Sequence, residues 1–293
     1  MKALLYATLV LGLVAGSAQA GTILLVTDCQ EKGVAGGDHN DDTFVTFLQG
    51  LGHTVDMYGM NKRMQGAWDA TDQQHADDAD LIILSRRTNS GAYNNPSQWN
   101  TQATPLILNS GYLTRDSRWD WTTGGSGNVA NTETDMPIKA GQTGHFSLTA
   151  VHTVTGPVTL FDWDDPTTVG VVETTAPKGI YNPLETDCDV VGTILVGTMD
   201  PNTVRGMLFE LPQGTDTGNG ILGAQRMFFS HWGYDDPTTG TNGPGDTPSE
   251  WEDYITQDYK DIMENMISTM IPEPATLTLL AAGVVATLIR RKK

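Results

Sequence analysis

Four short apolar runs narrow this chain to a small group of folds. TILLVTD begins at Thr22, HTVDMYGM at His53, LIILS at Leu81 and PLILNS at Pro105. In the first, third and fourth the apolar residues follow one another without alternation, and polar residues close each run. A half-exposed strand alternates, so a continuous run of this length predicts a strand buried on both faces of a parallel sheet. Helix-compatible segments lie between the runs. Asp41 or Asn40 can cap a helix from about Asp42 to Leu51, with Phe44, Phe47, Leu48 and Leu51 at helical spacing and Gly52 as its stop. Gln65 to Ala79 is polar and helix-compatible, and Tyr93 to Gln102 has room for a short helix. Strand and helix alternating through short connections define an open, mostly parallel α/β sheet, and right-handed crossovers make it flavodoxin-like.

After Trp121 the pattern changes. A Gly-rich polar loop leads into short β-like runs, HFSLTAV, PVTLFDW, TVGVVET, VVGTILVGTM and VRGMLFELP, separated by Gly, Pro and Asp. They read as hairpins added to the sheet. AQRMFFSHWG, from Ala224, reads as a last central strand. From about Pro248 to Met270 the residues Trp251, Tyr254, Ile255, Tyr259, Ile262, Met263, Met266 and Ile267 form one apolar helix face that would pack on the sheet.

The two ends carry processing signals. Lys2 precedes an apolar stretch from Ala3 to Ala15, and Ser17-Ala18-Gln19-Ala20 ends in the small-x-small pattern of a signal-peptidase site. Residues 1–20 are therefore expected to be a signal peptide cut after Ala20. At the other end Pro272-Glu273-Pro274 is followed by an apolar run from Ala275 to Ile289 and then by Arg290, Arg291, Lys292 and Lys293. That run is shorter than the roughly 20 residues of a spanning helix, and the cations should stay on the cytoplasmic side. This order resembles the PEP-CTERM sorting signal of exported bacterial proteins. The resemblance implies recognition of Pro272, Glu273 and Pro274 by an exosortase, with Arg290 and Arg291 closing a membrane helix. The body would sit outside the cytoplasm, anchored at the inner membrane, until processing sends it to the cell surface or the medium.

Residues 21–271 remain as the body, a length that suits one large domain or two small ones. Removing Lys2, the four terminal cations and Glu273 from the 17 basic and 35 acidic residues of the whole chain leaves 12 basic and 34 acidic. So acidic a surface excludes nucleic acid as a partner, because phosphate binding needs a surplus of Lys and Arg. Cys29 and Cys188 are far apart in the chain, and either a disulfide formed after export or two separate, partly buried thiols fits them.

Several phrases of the body, LIILSRRTNSGAY, PLILNSGYLTRDSRWDW and QRMFFSHWG, are similar to the glutamine-amidotransferase-like superfamily, in particular trehalose-utilisation-like and planctomycete-type exported domains. The resemblance implies a flavodoxin-like core. It also implies a nucleophilic Cys at a strand-to-helix turn, where this chain has Ser85, Ser90 and Ser110 but no Cys. A late His in such a fold matches His231, so Ser90, His231 and Asp235 stand as weak candidates for a triad, against the plainer reading of His231 as a hydrogen-bonded strand end.

Two clusters point to binding. Arg86, Arg87 and Ser90 follow the third strand, and Tyr112, Arg115, Arg118, Trp119 and Trp121 follow the fourth. Open α/β sheets build their sites at these strand ends. Arginine suits carboxylates and aromatic faces suit sugar rings or cations, so a small anionic or carbohydrate ligand is expected, with Asp28 at the same edge. The competing readings are arginines paired with surface carboxylates and tryptophans covering the sheet. Asp38, Asn40 and Asp42 alternate as in a calcium loop, but Thr43 and Gln49 stand where an EF-hand needs Gly and Glu, so helix capping is favoured. No motif calls for a metal or cofactor. The body is accordingly expected to be a non-catalytic ligand-binding domain, with a carbohydrate-acting hydrolase or isomerase and a structural surface or matrix component as alternatives.

Overall fold

The structure, a computed structural model, describes residues 20–29, 41–128, 134–151, 156–161, 181–188, 193–199, 204–230 and 255–271. The signal segment up to residue 19, most of the calcium-like loop, the run TVGVVET, His231, Asp235 and the tail from Pro272 lie outside the described residues.

The apolar runs form the sheet centre as the sequence predicts. In chain order the strands are β1 (Thr22–Val26), β2 (Thr54–Asp56), β3 (Leu81–Leu84), β4 (Leu106–Leu108), β5 (Ser126–Asn128), β6 (Asp135–Met136), β7 (Val158–Thr159), β8 (Tyr181–Pro183), β9 (Ile194–Met199), β10 (Arg205–Leu211) and β11 (Arg226–Phe229). The helices are α1 (Asp42–Gly50), α2 (Ala70–Asp78), α3 (Pro96–Thr101), α4 (Glu185–Cys188) and α5 (Gln257–Met270). Seven strands make the main sheet in the order β2-β1-β3-β4-β11-β10-β9. The first five are mutually parallel, and β10 runs antiparallel between β11 and β9. Counting β11 as the fifth parallel strand, the order is 2-1-3-4-5, which is consistent with a flavodoxin-like fold. β5 with β8 and β6 with β7 form two small hairpin-like pairs beside it.

Alternate residues of each central strand enter opposite layers, which is why both parities had to be apolar. Ile23, Leu25, Leu81, Ile83, Ile107, Met227 and Phe229 join Phe44 and Leu48 of α1 and Ile262, Met266 and Ile267 of α5 on one face. Leu24, Val26, Ile82, Leu84, Leu106, Leu108 and Phe228 meet Ala76 of α2, Trp99 of α3, Trp119 and Trp121 on the other. In β10, Met207 and Leu208 fall on the same face although they are consecutive. The register shift against β9 at this point is the cause, since a bulge lets two neighbours point the same way.

Three expectations are corrected. HFSLTAV is not a strand: Phe146–Leu148 is a 3-10 turn, because the His145 side chain accepts from the Ser147 amide and starts the turn. The second strand stops at Asp56, whose carboxylate accepts from Tyr58 N and turns Met57–Gly59 into 3-10 helix. Ile255 lies before the last helix, not on it, pairing with Phe161 in an isolated bridge, and Thr256 caps α5 by accepting from Tyr259 N. Gly59 is required where it stands: a Cβ there would come within 2.4 Å of the Leu25 carbonyl oxygen.

At the sheet centre Arg226 is fully buried. Its guanidinium donates to the carbonyls of Trp99, Asn100, Gln102, Thr104 and Gln225 at 2.5–3.2 Å. Burial pulls its pKa down to about 9, so it remains cationic at neutral pH. Arg226→Met keeps the length and removes the donors, leaving buried carbonyls unmatched. It is expected to lower stability by about 3–5 kcal/mol, measured by urea unfolding.

Candidate functional site

Because β1, β3, β4 and β11 are parallel, the residues that follow them share one edge of the sheet. The crevice between β1 and β3 is where the chain order reverses, the usual ligand position in such sheets. Here that crevice is laced shut. Asp28 receives hydrogen bonds from Gln65 Nε2 at 3.0 Å, the Asn89 amide at 2.9 Å and the Tyr93 hydroxyl at 2.9 Å. The Asp28 amide in turn donates to the Arg87 carbonyl at 2.7 Å. Burial, and then the neighbouring Asp28 charge, push the Tyr93 phenol well above its ordinary range, so it stays a donor.

The loop after β2 closes over the same place at some conformational cost. Asn61, Lys62 and Met64 all have left-handed backbone, with φ of 61°, 63° and 61°. Non-glycine residues adopt this conformation only when their surroundings hold them there. The Asn61 amide donates to the Cys29 carbonyl, and the Arg63 carbonyl accepts from the Tyr93 hydroxyl. Cys29 and Cys188 are both buried, and no disulfide joins them.

The serines do not have the strained turn of an activated nucleophile. Ser85 is buried and its hydroxyl accepts from the Arg87 amide at 3.2 Å. Ser90 is half-buried in a loop where Asn89 Oδ1 accepts from Gly91 N, six positions beyond the end of β3. Ser110 is buried, with no hydrogen-bond partner for its Oγ among the described residues. None of the three has positive φ. The His231 and Asp235 with which Ser90 was grouped lie outside the described residues.

The arginines, by contrast, do converge. The Arg86 guanidinium carbon is 5.1 Å from the centre of the Tyr112 ring, and that of Arg115 is 4.7 Å from it. Arg86 is buried, whereas Tyr112, Arg87, Arg115 and Arg118 are half-buried. Arg115 Nε donates to Ser126 Oγ at 2.8 Å, which fixes one edge of its fork, and Arg118 Nη1 donates to the Ser117 carbonyl. Two cations on one ring concentrate positive charge in an otherwise acidic chain.

Trp119 and Trp121 are not part of that surface. Both are fully buried. Trp119 stacks on Trp99 at 5.3 Å and donates its Nε1 to the Tyr93 carbonyl, and Trp121 donates to Asn100 Oδ1. Their faces are spent on the core.

One group of polar residues went unnoticed in the sequence. His145 Nε2 lies 3.0 Å from Glu210 Oε2, and its Nδ1 lies 2.7 Å from Ser147 Oγ. The order imitates a serine relay, but Ser147 is fully buried and its backbone amide bonds the same ring nitrogen. The group is a cap that ties the 3-10 turn to β10. Burial would raise the Glu210 carboxyl, but hydrogen bonds from His145 and Gln225 and the charge of His145 outweigh it and hold the pKa below its ordinary 4.5. The only signal for this contact was the i to i+2 His-Ser pair, since Glu210 is 65 positions away.

No group of three or more His, Cys, Asp and Glu that could hold a metal occurs among the described residues. No helix among them is long and apolar enough to cross a membrane. Residues 271–293 match the PEP-CTERM protein-sorting motif. Neither a curated protein nor a solved structure matches the chain. The motif marks the chain for export and for sorting through an exosortase.

Two outcomes follow from this geometry. Asp28→Ala removes the acceptor for three donors and should lower stability by about 2–4 kcal/mol, with faster hydrogen exchange at the Asn89 amide as its local mark. Since the native Glu210 pKa lies below 4.5, the unfolded chain binds the extra proton between the two values. The contribution of Glu210 is therefore complete above about pH 4.5 and lost as pH falls through the native value. Glu210→Gln should flatten that part of a stability-against-pH curve measured by urea midpoints.

Proposed function

We propose that this is an exported protein whose tail delivers it to an exosortase and whose body binds a small anionic or carbohydrate ligand without transforming it. On this reading signal peptidase cuts after Ala20, the tail holds the body at the outer face of the inner membrane, and processing then releases it to the cell surface. The body is a member of the amidotransferase-like group that has lost the nucleophile.

The observation that carries the binding reading is the pair of guanidiniums on Tyr112. Arg115 presents a fork oriented by Ser126, and a planar fork beside an aromatic face suits a carboxylate or an anionic sugar. Arg87 follows β3 and Arg118 follows β4, at the same sheet edge. The absence of catalysis is supported by the chemistry of the serines: each described one at this edge lacks a strained backbone, and Ser85 is engaged with the loop amide.

A panel of sugar acids, neutral glycans and small carboxylates, screened by thermal shift on the purified protein, tests this. At least one member should raise the melting temperature, and Arg115→Ala should remove that shift. Turnover of any member, abolished by Ser90→Ala or His231→Ala, would replace the reading with a hydrolase. For the tail, Glu273→Ala should leave unprocessed chain in the membrane fraction of an exosortase-bearing host, seen as a larger mass than that of the parent.

A further inference from the structure

The edge of the sheet opposite the arginines brings the two processing points together. Ala20 is exposed and Gly21 is buried. The Gly21 nitrogen donates to His53 Nδ1 at 3.2 Å, and the Gly21 carbonyl accepts from the Thr54 amide at 2.9 Å. Asp80 lies alongside. Its Oδ2 accepts from the Thr22 amide at 2.8 Å and stands 3.2 Å from where a Cβ on Gly21 would be. The same Cβ would come within 2.8 Å of Ile271 Cγ2. Ile271 is the residue at which the match to the sorting motif begins. One acceptor nitrogen, one carboxylate and the root of the tail thus lie against a single glycine.

In the uncut chain that nitrogen is an amide with one proton, which His53 accepts. Cutting the Ala20–Gly21 bond would leave an α-ammonium with three protons and a full charge. His53 is suited to remain an acceptor, because burial lowers its pKa despite the Gly21 hydrogen bond and the charges of Asp80 and Glu264. The Asp80 carboxylate offers the new charge a partner close at hand. Glycine is the residue that fits, since any side chain would run into Ile271.

We propose that His53 and Asp80 form a seat for the α-ammonium of Gly21, and that filling it after signal cleavage fastens the start of β1 to the residues that open β2 and β3, beside the root of the sorting tail. The proposal rests on the export reading above, specifically on cleavage after Ala20. The seat makes the order of processing matter: a chain still joined to its leader has an amide there, and gains the ion pair only when cut. The described neighbours of the site are Thr22 on β1, His53 before β2, Asp80 before β3, Glu264 in the middle of α5 and Ile271 just after it.

The full chain purified from an exporting host supplies the test. Mass spectrometry of the N-terminal peptide identifies the terminus, and the rate at which its α-amine reacts with an amine-reactive ester is then followed against pH, folded and in urea. An unconstrained α-amino group titrates at about 7.7–8.0. Burial alone would lower that midpoint, whereas a carboxylate partner raises it, so the direction separates a seat from mere enclosure. The expected result is a folded-state midpoint above about 8.5 and, at pH 8, reaction at least about two- to threefold slower than in urea, with Asp80→Asn restoring most of the rate. A folded midpoint at or below that of the unfolded chain overturns the seat while leaving cleavage intact. A terminus other than Gly21 overturns the cleavage point and the seat with it. The profile of the unaltered chain decides the matter even if Asp80→Asn fails to fold.

Discussion

Arg226 holds the molecule together at a point where a charge would ordinarily be excluded. It stands in β11 between β4 and β10, with no solvent exposure, and its partners are carbonyls, not a carboxylate. The last turn of a helix leaves carbonyls without intrahelical donors and carries a partial negative charge. α3 is only six residues long and ends at Thr101 without a glycine cap, so Trp99, Asn100 and Gln102 present such carbonyls, and Arg226 answers them. Both sides of this contact would be destabilising alone. Together they fix α3 on the sheet.

What α3 fixes reaches the candidate site. Trp99 stacks against Trp119, and Asn100 receives Trp121 Nε1 while donating to the Trp119 carbonyl and to Thr217. Trp119 and Trp121 in turn anchor the loop that begins at Tyr112. The Arg86, Tyr112 and Arg115 cluster is therefore positioned from beneath by tryptophans. That division of labour explains why one aromatic-rich phrase, GYLTRDSRWDW, supplies both a buried wedge and a half-exposed ring.

How much of this was legible depends on whether a residue's role is set by pattern or by partner. Unbroken apolar runs have one good solution, and the central strands, including β11, lie where they were expected. Gly52, at φ 92°, stops α1 as its position implied. Arg226 was not legible, because an arginine before an apolar run looks the same whether it meets water or five carbonyls. Trp119 was ambiguous for a related reason: the flat face that would receive a sugar ring equally receives Trp99. HFSLTAV misled because its apolar spacing suits a strand, while the deciding contact is local, from the His145 ring to the Ser147 amide. Asp28 follows β1 as the pattern implied, but its three donors come from three separate loops that no spacing connects.

The two edges of the parallel sheet divide the work between them. Thr22 opens β1 and Ile271 follows α5 at one edge, while Val26 and Leu84 deliver Asp28 and Arg86 to the other. A strand of five residues spans roughly 16 Å, so these edges are well separated. If the tail holds the body at the membrane, it does so from the edge where Gly21 meets Ile271, and the arginine cluster then faces away from the bilayer. The root of the tail is packed against Gly21, where an added methyl would come within 2.8 Å of Ile271 Cγ2. The match to the sorting motif thus begins at the residue that follows α5. Any force on the tail during processing would therefore enter the fold through α5 and, by way of Ile271, the start of β1.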